Sequence, residues 1–327
     1  MKKRKIVLAG LLTVSLAVPM PVGAAVEVTE KSEAETSAPC EEETSEEDDI
    51  SGSEEIFTEE EGAFQESAEE ENIQKEELSG ESESEETTEE SLTAAEQGAE
   101  DTSEIIGEGT CGENVTWTLT QKGTLTLSGT GPMEDFSRWT SRPWDRERVN
   151  WVIIEPGVTS IGDYSLFYAN IKEISIPESV TRIGEEAFGS CHRLESIELP
   201  SGLTEIGNGA FSECNRLESI ELPSGLTEIK NDVFSGCDSL ESIELPPGLT
   251  EIGNDVFYSC NLLDNVVIPE SVTRIGDGAF ESCKNLRNLT LQEGLTEIED
   301  SAFEGCDSLE EIVLPFTVSR VGDTAFS

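Results

Sequence analysis

Seven phenylalanines recur at one spacing. Phe188, Phe211, Phe234, Phe257, Phe280, Phe303 and Phe326 fall every 23 residues. Cys191, Cys214, Cys237, Cys260, Cys283 and Cys306 keep the same period, three residues after each Phe but the last. Pro177, Pro200, Pro223, Pro246, Pro269 and Pro315 continue it, with Gln292 in the one vacant slot. A fixed period of 20–30 residues specifies a solenoid of stacked coils, because one such unit cannot bury its own apolar face.

The unit reads L-x-x-I-x-L-P-x-G-L-T-x-I-G-x-x-A-F-x-x-C. Its I-x-L part alternates, which predicts a short strand with apolar side chains pointing inward. The following Pro lacks an N–H and helps to end that strand. Leu203, Ile206 and Phe211 supply the inward residues of the return arm, and Gly207 a bend where a side chain could clash. Eight strand arms are predicted, at 149–154, 171–176, 194–199, 217–222, 240–245, 263–268, 286–291 and 309–314. Stacked in register they form one parallel sheet along a curved, α/β or mainly β solenoid of about eight coils.

Three segments precede the array. Lys2, Lys3, Arg4 and Lys5 followed by the apolar run 6–18 and by Gly23, Ala24 and Ala25 have the layout of an export signal over 1–25, too short to span a bilayer. No other apolar run has membrane length, so no membrane span is expected after cleavage. Residues 26–108 hold 33 Asp and Glu against two Lys and show no sustained apolar period, so they are expected to stay disordered as a solvated acidic spacer. A cation- or basic-partner-binding tail is the sharper alternative. In 109–148, Val115, Trp117 and Leu119 alternate, and Leu125 and Leu127 alternate again, which is a hairpin signature. With all four Trp between 117 and 151, this region is expected to cap the first coil of the array at 149–327. An aromatic sugar-binding platform is the alternative.

The array resembles the BspA-like class of leucine-rich repeat proteins. Lines such as Ile183-Gly184-Glu185-Glu186-Ala187-Phe188 and Leu194-Glu195-Ser196-Ile197-Glu198-Leu199-Pro200 carry the resemblance over 149–327, and Gly109-Thr110-Cys111-Gly112 to Trp151 is similar to the flank such proteins carry. The resemblance implies a leucine-rich-repeat solenoid. It also implies a secreted or surface-displayed protein that binds other proteins or host matrix.

The formal net charge is -50, which repels phosphate backbones and argues against nucleic acid as a partner. The single His, His192, excludes a two-His metal site, and the slots matching it are Asn215, Asp238, Asn261, Lys284 and Asp307. That variety marks a solvent-facing turn and not a catalytic Cys-His pair. The six Cys form a structural column, about one strand spacing apart. Adjacent disulfides are geometrically open, but the column tracks the coil and not a pairing pattern. No zinc, cofactor or other metal pattern is found, since C-x-x-C does not occur. Leu314-Pro315-Phe316-Thr317-Val318 is in phase with every other Leu-Pro and is no sorting signal.

The outward strand positions form two columns. Glu198, Glu221 and Glu244 continue a line from Ser175 to Val267, Thr290 and Val313, and Glu195, Glu218 and Glu241 stand beside them. These six Glu are the candidate partner-binding patch, for a basic protein surface or a divalent cation. Duplication is the competing account, since 194–206 and 217–229 both read LESIELPSGLTEI. Protein binding or adhesion through the sheet is therefore expected, without catalysis. A carboxylate-based hydrolase and a purely structural spacer are the alternatives. The array stops halfway through a coil, so a fragment or a self-associating end is expected.

Overall fold

The computed structural model describes residues 5–8, 103–139 and 142–327. Most of the leader and nearly all of the acidic segment lie outside the described residues. The rest is a parallel β-solenoid of about nine turns with almost no helix.

Each turn buries the residues that the repeat marks. Leu194, Ile197, Leu203, Ile206, Ala210, Phe211 and Cys214 line the interior of one coil, all 6% exposed or less. The apolar side chains of successive coils form columns. From Phe188 to Phe326 the rings are stacked, with centroids 5.0–5.7 Å apart and planes within 21°. Beside them each Cys Sγ donates to a carbonyl of the preceding coil, as Cys214 does to Phe188 O at 3.2 Å.

Both arms of the coil form parallel ladders. Ser196–Ile197 pairs with Ser219–Ile220, single bridges join Glu221 to Glu244 and Ser242 to Asn265, and Asn265–Val267 pairs with Asn288–Thr290. The first arm was expected to form one sheet, and it is instead a discontinuous ladder. The return arm is the more regular one. Glu228–Ile229, Glu251–Ile252, Arg274–Ile275, Glu297–Ile298 and Arg320–Val321 pair in unbroken succession. The reason is local. T-x-I alternates as cleanly as S-I-x-L, and the conserved spacing of the two arms puts both in register at once.

The cap is more deeply merged with the solenoid than a hairpin laid on its end. Val115–Thr120 is antiparallel to Thr124–Gly129, as expected. Thr124–Gly129 then pairs in parallel with Trp151–Ile154, and Gly131–Pro132 with Val158–Ile161, so this second strand is already a coil. A further strand, Ile105–Thr110, pairs with Val115–Thr120, so ordered structure begins before residue 109. Trp117 and Trp144 meet edge-on at 5.8 Å in the core, whereas Trp139 is 90% exposed and covers nothing. At the other end Lys5–Leu8 pairs in parallel with Glu311–Leu314, Ile6 beside Ile312 and Leu8 beside Leu314. An edge strand with unpaired N–H and C=O groups takes a matching alternation.

The turn before each Phe uses left-handed backbone. Glu186, Asp232, Asp255, Ser301 and Thr324 have φ between 48° and 59°, in the slot that Gly209 and Gly278 fill in sister coils. The Gly207 slot differs: its φ is ordinary, but a Cβ there would come within 2.4 Å of Glu185 N in the preceding coil. Lys230 and Glu299 replace it in two coils.

Carboxylates gather at these turns. Burial, and then Asp255, raises Asp232; burial, and then Asp277, raises Asp255; burial, and then Glu304 and Asp255, raises Glu281. Glu186 is raised mainly by burial, with Arg138 opposing.

Two outcomes are expected. Phe234→Ala leaves a cavity in the middle of the ring stack and costs about 3–5 kcal/mol in denaturant unfolding. Phe326→Ala, at a partly buried end ring, costs less than half as much, and equal costs would contradict the stacking account. The second outcome concerns pH. A carboxylate whose folded pKa lies above its unfolded value contributes stability that is present below the unfolded pKa, near 4, and lost as pH rises through the folded pKa. Asp232→Asn/Asp255→Asn, which removes two such groups, should therefore gain stability relative to the parent as pH rises from 4 to 7. Urea melts across that range showing a constant difference would refute it.

Candidate functional site

The first arm displays the six Glu together. Glu195, Glu198, Glu218, Glu221, Glu241 and Glu244 are all exposed. Backbone bonds from Glu218 N to Glu195 O at 3.0 Å and from Glu241 N to Glu218 O at 3.3 Å stack one column. The parallel register places Glu198 beside Glu221, and the bridge places Glu221 beside Glu244. Successive coils lie about 4.8 Å apart, so like charges are neighbours at a spacing that mildly destabilises the face. The nearest described counter-ion is Arg216, 3.7 Å from Glu195 with both side chains 65% exposed, a geometry that contributes little. Further along, Val267 and Val313 are each 48% exposed, which gives the mixed surface the outward columns implied.

The return arm treats its charges differently, and the sequence reading passed over it. Lys230 Nζ lies 2.8 Å from Glu205, and this bond is the main cause that lowers the Glu205 carboxyl. Arg182 joins Asp163 at 2.6 Å and Asp135 at 3.3 Å. Arg274 bridges Glu251 and Glu299, and Arg320 reaches Glu297. A polar ladder runs along the adjoining bend, where Asn231 N, Asn254 N and Asp277 N bond to the side-chain oxygens of Asn208, Asn231 and Asn254. The signal was present in the period: the column Arg182, Glu205, Glu228, Glu251, Arg274, Glu297 and Arg320 mixes both signs, and Lys230 stands two residues after Glu228. The two outward columns of the first arm hold only Glu in the three central coils.

The Cys column is buried throughout, and none of its six Cys is in a disulfide. Burial pushes Cys191 up to about 12, and raises Cys214, Cys237, Cys260 and Cys283 in the same sense. Such thiols are protonated and inert, as a structural column requires. His192 is exposed, and its Nδ1 lies 3.0 Å from Glu213 O and 2.8 Å from Asn215 Oδ1. A carbonyl only accepts, so Nδ1 carries the proton. The ring does not meet the Cys191 thiol, which donates to Leu166 O.

An open hollow of about 560 Å³ lies on the first-arm side of the later coils. Arg287, Thr290, Asp307, Glu310 and Glu311 line it. Arg287 is paired with Asp264 at 3.1 Å. No described helix is long and apolar enough to cross a membrane.

The BspA type leucine rich repeat region matches the chain in six copies, over 159–284 and 204–327. A solved leucine-rich repeat protein from T. pallidum is 31% identical, over 65% of this chain and 85% of that one, with a TM-score of 0.44. The pneumococcal vaccine antigen PcpA is 18% identical over 67% and 78%, with a TM-score of 0.36. A leucine rich cell surface protein from Faecalibacterium prausnitzii is 18% identical over 66% and 96%, with a TM-score of 0.30. No curated protein matches the chain. Six repeat copies spanning half of the sequence, on a solenoid whose columns follow the same period, place the chain in the BspA-type leucine-rich repeat family.

Proposed function

We propose that this chain is an extracellular or surface-displayed binding scaffold that presents its acidic strand face to a basic protein surface. The observation that carries the reading is the set of six exposed Glu on three adjacent coils with a single weak counter-ion. Every other arginine placed on a strand arm of the array has a carboxylate beside it: Arg182, Arg274 and Arg320 on the return arm, and Arg287 on the first. A charged face left without such partners is complementary to a surface of opposite sign, which speeds encounter and fixes orientation more than it adds affinity. The leader at 1–25 would direct export, the acidic segment 26–108 would act as the spacer, and 109–148 would cap the repeats at 149–327. Removal of the leader would bare the edge of Glu311–Leu314, where self-association becomes available.

A hydrolase is less well supported. Catalytic carboxylates need one asymmetric, partly buried constellation, whereas the Glu columns repeat and the open hollow holds an arginine already paired. Duplication accounts for how the Glu were copied and leaves open what they meet.

Glu198→Lys/Glu221→Lys/Glu244→Lys tests the reading. The variant keeps a column of like charges, so the fold should melt within a few degrees of the parent. Binding of a basic protein partner recovered from the chain's own environment should fall by at least tenfold, and the salt dependence of what remains should flatten. Unchanged affinity for every such partner would remove the patch from consideration.

A further inference from the structure

A second surface departs from the repeat where the Glu columns follow it. The left-handed turn slots take Gly, Ser, Thr, Asp or Glu in later coils. In the coil beside the cap they hold Tyr164 at φ 53° and Tyr168 at φ 64°. A bulky ring is the least suited of residues to that backbone, and such outliers gather at binding sites. Phe167, between them, is buried, and Tyr168 is 51% exposed.

Basic groups converge on these rings. Arg138 and Arg142 lie over the Phe167 ring at 5.4 and 5.6 Å, and Arg146 over the Tyr168 ring at 5.5 Å. Four of the 14 Lys and Arg in residues 109–327 fall within 138–148. Arg148 pairs with Asp145 at 3.3 Å. None of the other three pairs with a described carboxylate, although Arg138 is close enough to Glu186 to lower it. Arg142 donates through Nε to Tyr164 O at 2.7 Å, and its Nη2 is buried without a described partner. Trp139 follows Arg138 and is 90% exposed.

We propose that Arg138, Arg142, Arg146, Trp139 and Tyr168 form a binding site for an acidic saccharide, a sugar whose rings carry carboxylate or sulfate. The chemistry divides between the two kinds of side chain. An arginine lying over a ring keeps its in-plane N–H groups for an anion, and the fork matches a carboxylate or a sulfate. An exposed indole or phenol ring offers an apolar face to the C–H face of a sugar. The charge of the whole chain does not prevent this, because exposed charges beyond about 8 Å are screened at physiological ionic strength. Duplication cannot have produced the site, since no other coil carries its residues.

The experiment uses the full chain and calorimetric titration with four probes. These are oligogalacturonate, its fully methyl-esterified neutral form, dextran sulfate, and poly-glutamate. Oligogalacturonate or dextran sulfate should bind, and comparison of these two tells which acid group is read. The methyl ester should bind at least tenfold more weakly than oligogalacturonate. Arg138→Gln/Arg146→Gln should weaken the acidic sugar at least tenfold. Trp139→Ala, at a side chain too exposed to affect folding, should weaken it about fivefold and leave poly-glutamate unchanged. No binding of either acidic polysaccharide would overturn the proposal. So would poly-glutamate binding as tightly as the sugars with no effect of Trp139→Ala, which would assign the patch to acidic peptide, including the chain's own residues 26–108. Equal binding of the methyl ester would overturn it too.

Discussion

Everything in the solenoid depends on contact between equivalent side chains of neighbouring coils. A single coil has two arms of two to four residues and no helix, so it has no interior until another coil lies on it. The Phe column sets the terms. Its centroid spacing of 5.0–5.7 Å is close to the separation of paired strands, about 4.8 Å, so rings can stack only if both arms keep register. The Cys column shares the same geometry. Phe188 O accepts from Cys191 N within its coil and from Cys214 Sγ in the next, using both lone pairs of one buried carbonyl. A thiol is small and apolar enough to fill the slot and still donates, which accounts for Cys at each recurrence better than any redox role.

Strict repetition has an electrostatic consequence. Whatever points outward in one coil stands next to its own copy in the next. On the return arm the copies are broken up by Arg182, Lys230, Arg274 and Arg320, and the face becomes a ladder of ion pairs. On the first arm the central coils repeat Glu without relief. The turns behave like the first arm: burial raises Asp232, Asp255 and Glu281, and neighbouring carboxylates add to it, Asp255 acting on Asp232 and Glu281 and Asp277 on Asp255. The same fold therefore contains a compensated face, an uncompensated face and a strip of strained carboxylates.

The repeat was legible because its physical cause is periodic. Phe, Cys and the paired Ile positions are buried for the same reason in each coil, so one unit predicts the rest. Less could be read where a residue's surroundings come from elsewhere in the chain. Thr124–Gly129 alternates as a hairpin strand does, and nothing within it announces that its outer edge pairs in parallel with Trp151–Ile154. The return-arm ladder was hidden by its brevity, since two alternating residues are too few to mark a strand until neighbours align them. The six Glu could be placed in columns because their slots follow the same period. The arginine cluster was missed because Arg138, Arg142 and Arg146 lie outside the 23-residue period, and only the fold brings them over Phe167 and Tyr168.

That last contrast bears on where specificity resides in such a molecule. A residue that appears in every coil is explained by the coil, and its exposure alone says little about a ligand. A residue that breaks the pattern has to be explained by something acting on that coil alone. Packing of the cap supplies part of the explanation at Phe167, which is buried under two guanidinium groups. It does not extend to Trp139, which covers nothing, and it leaves Tyr168, with Arg146 over the ring and His192 at its edge, half exposed in a backbone conformation that sister coils give to small or acidic residues. The cap thus does more than close the first coil. It brings unpaired positive charge and exposed rings onto one flank of an acidic protein, while the repeats behind it supply length, rigidity and a face of the opposite sign.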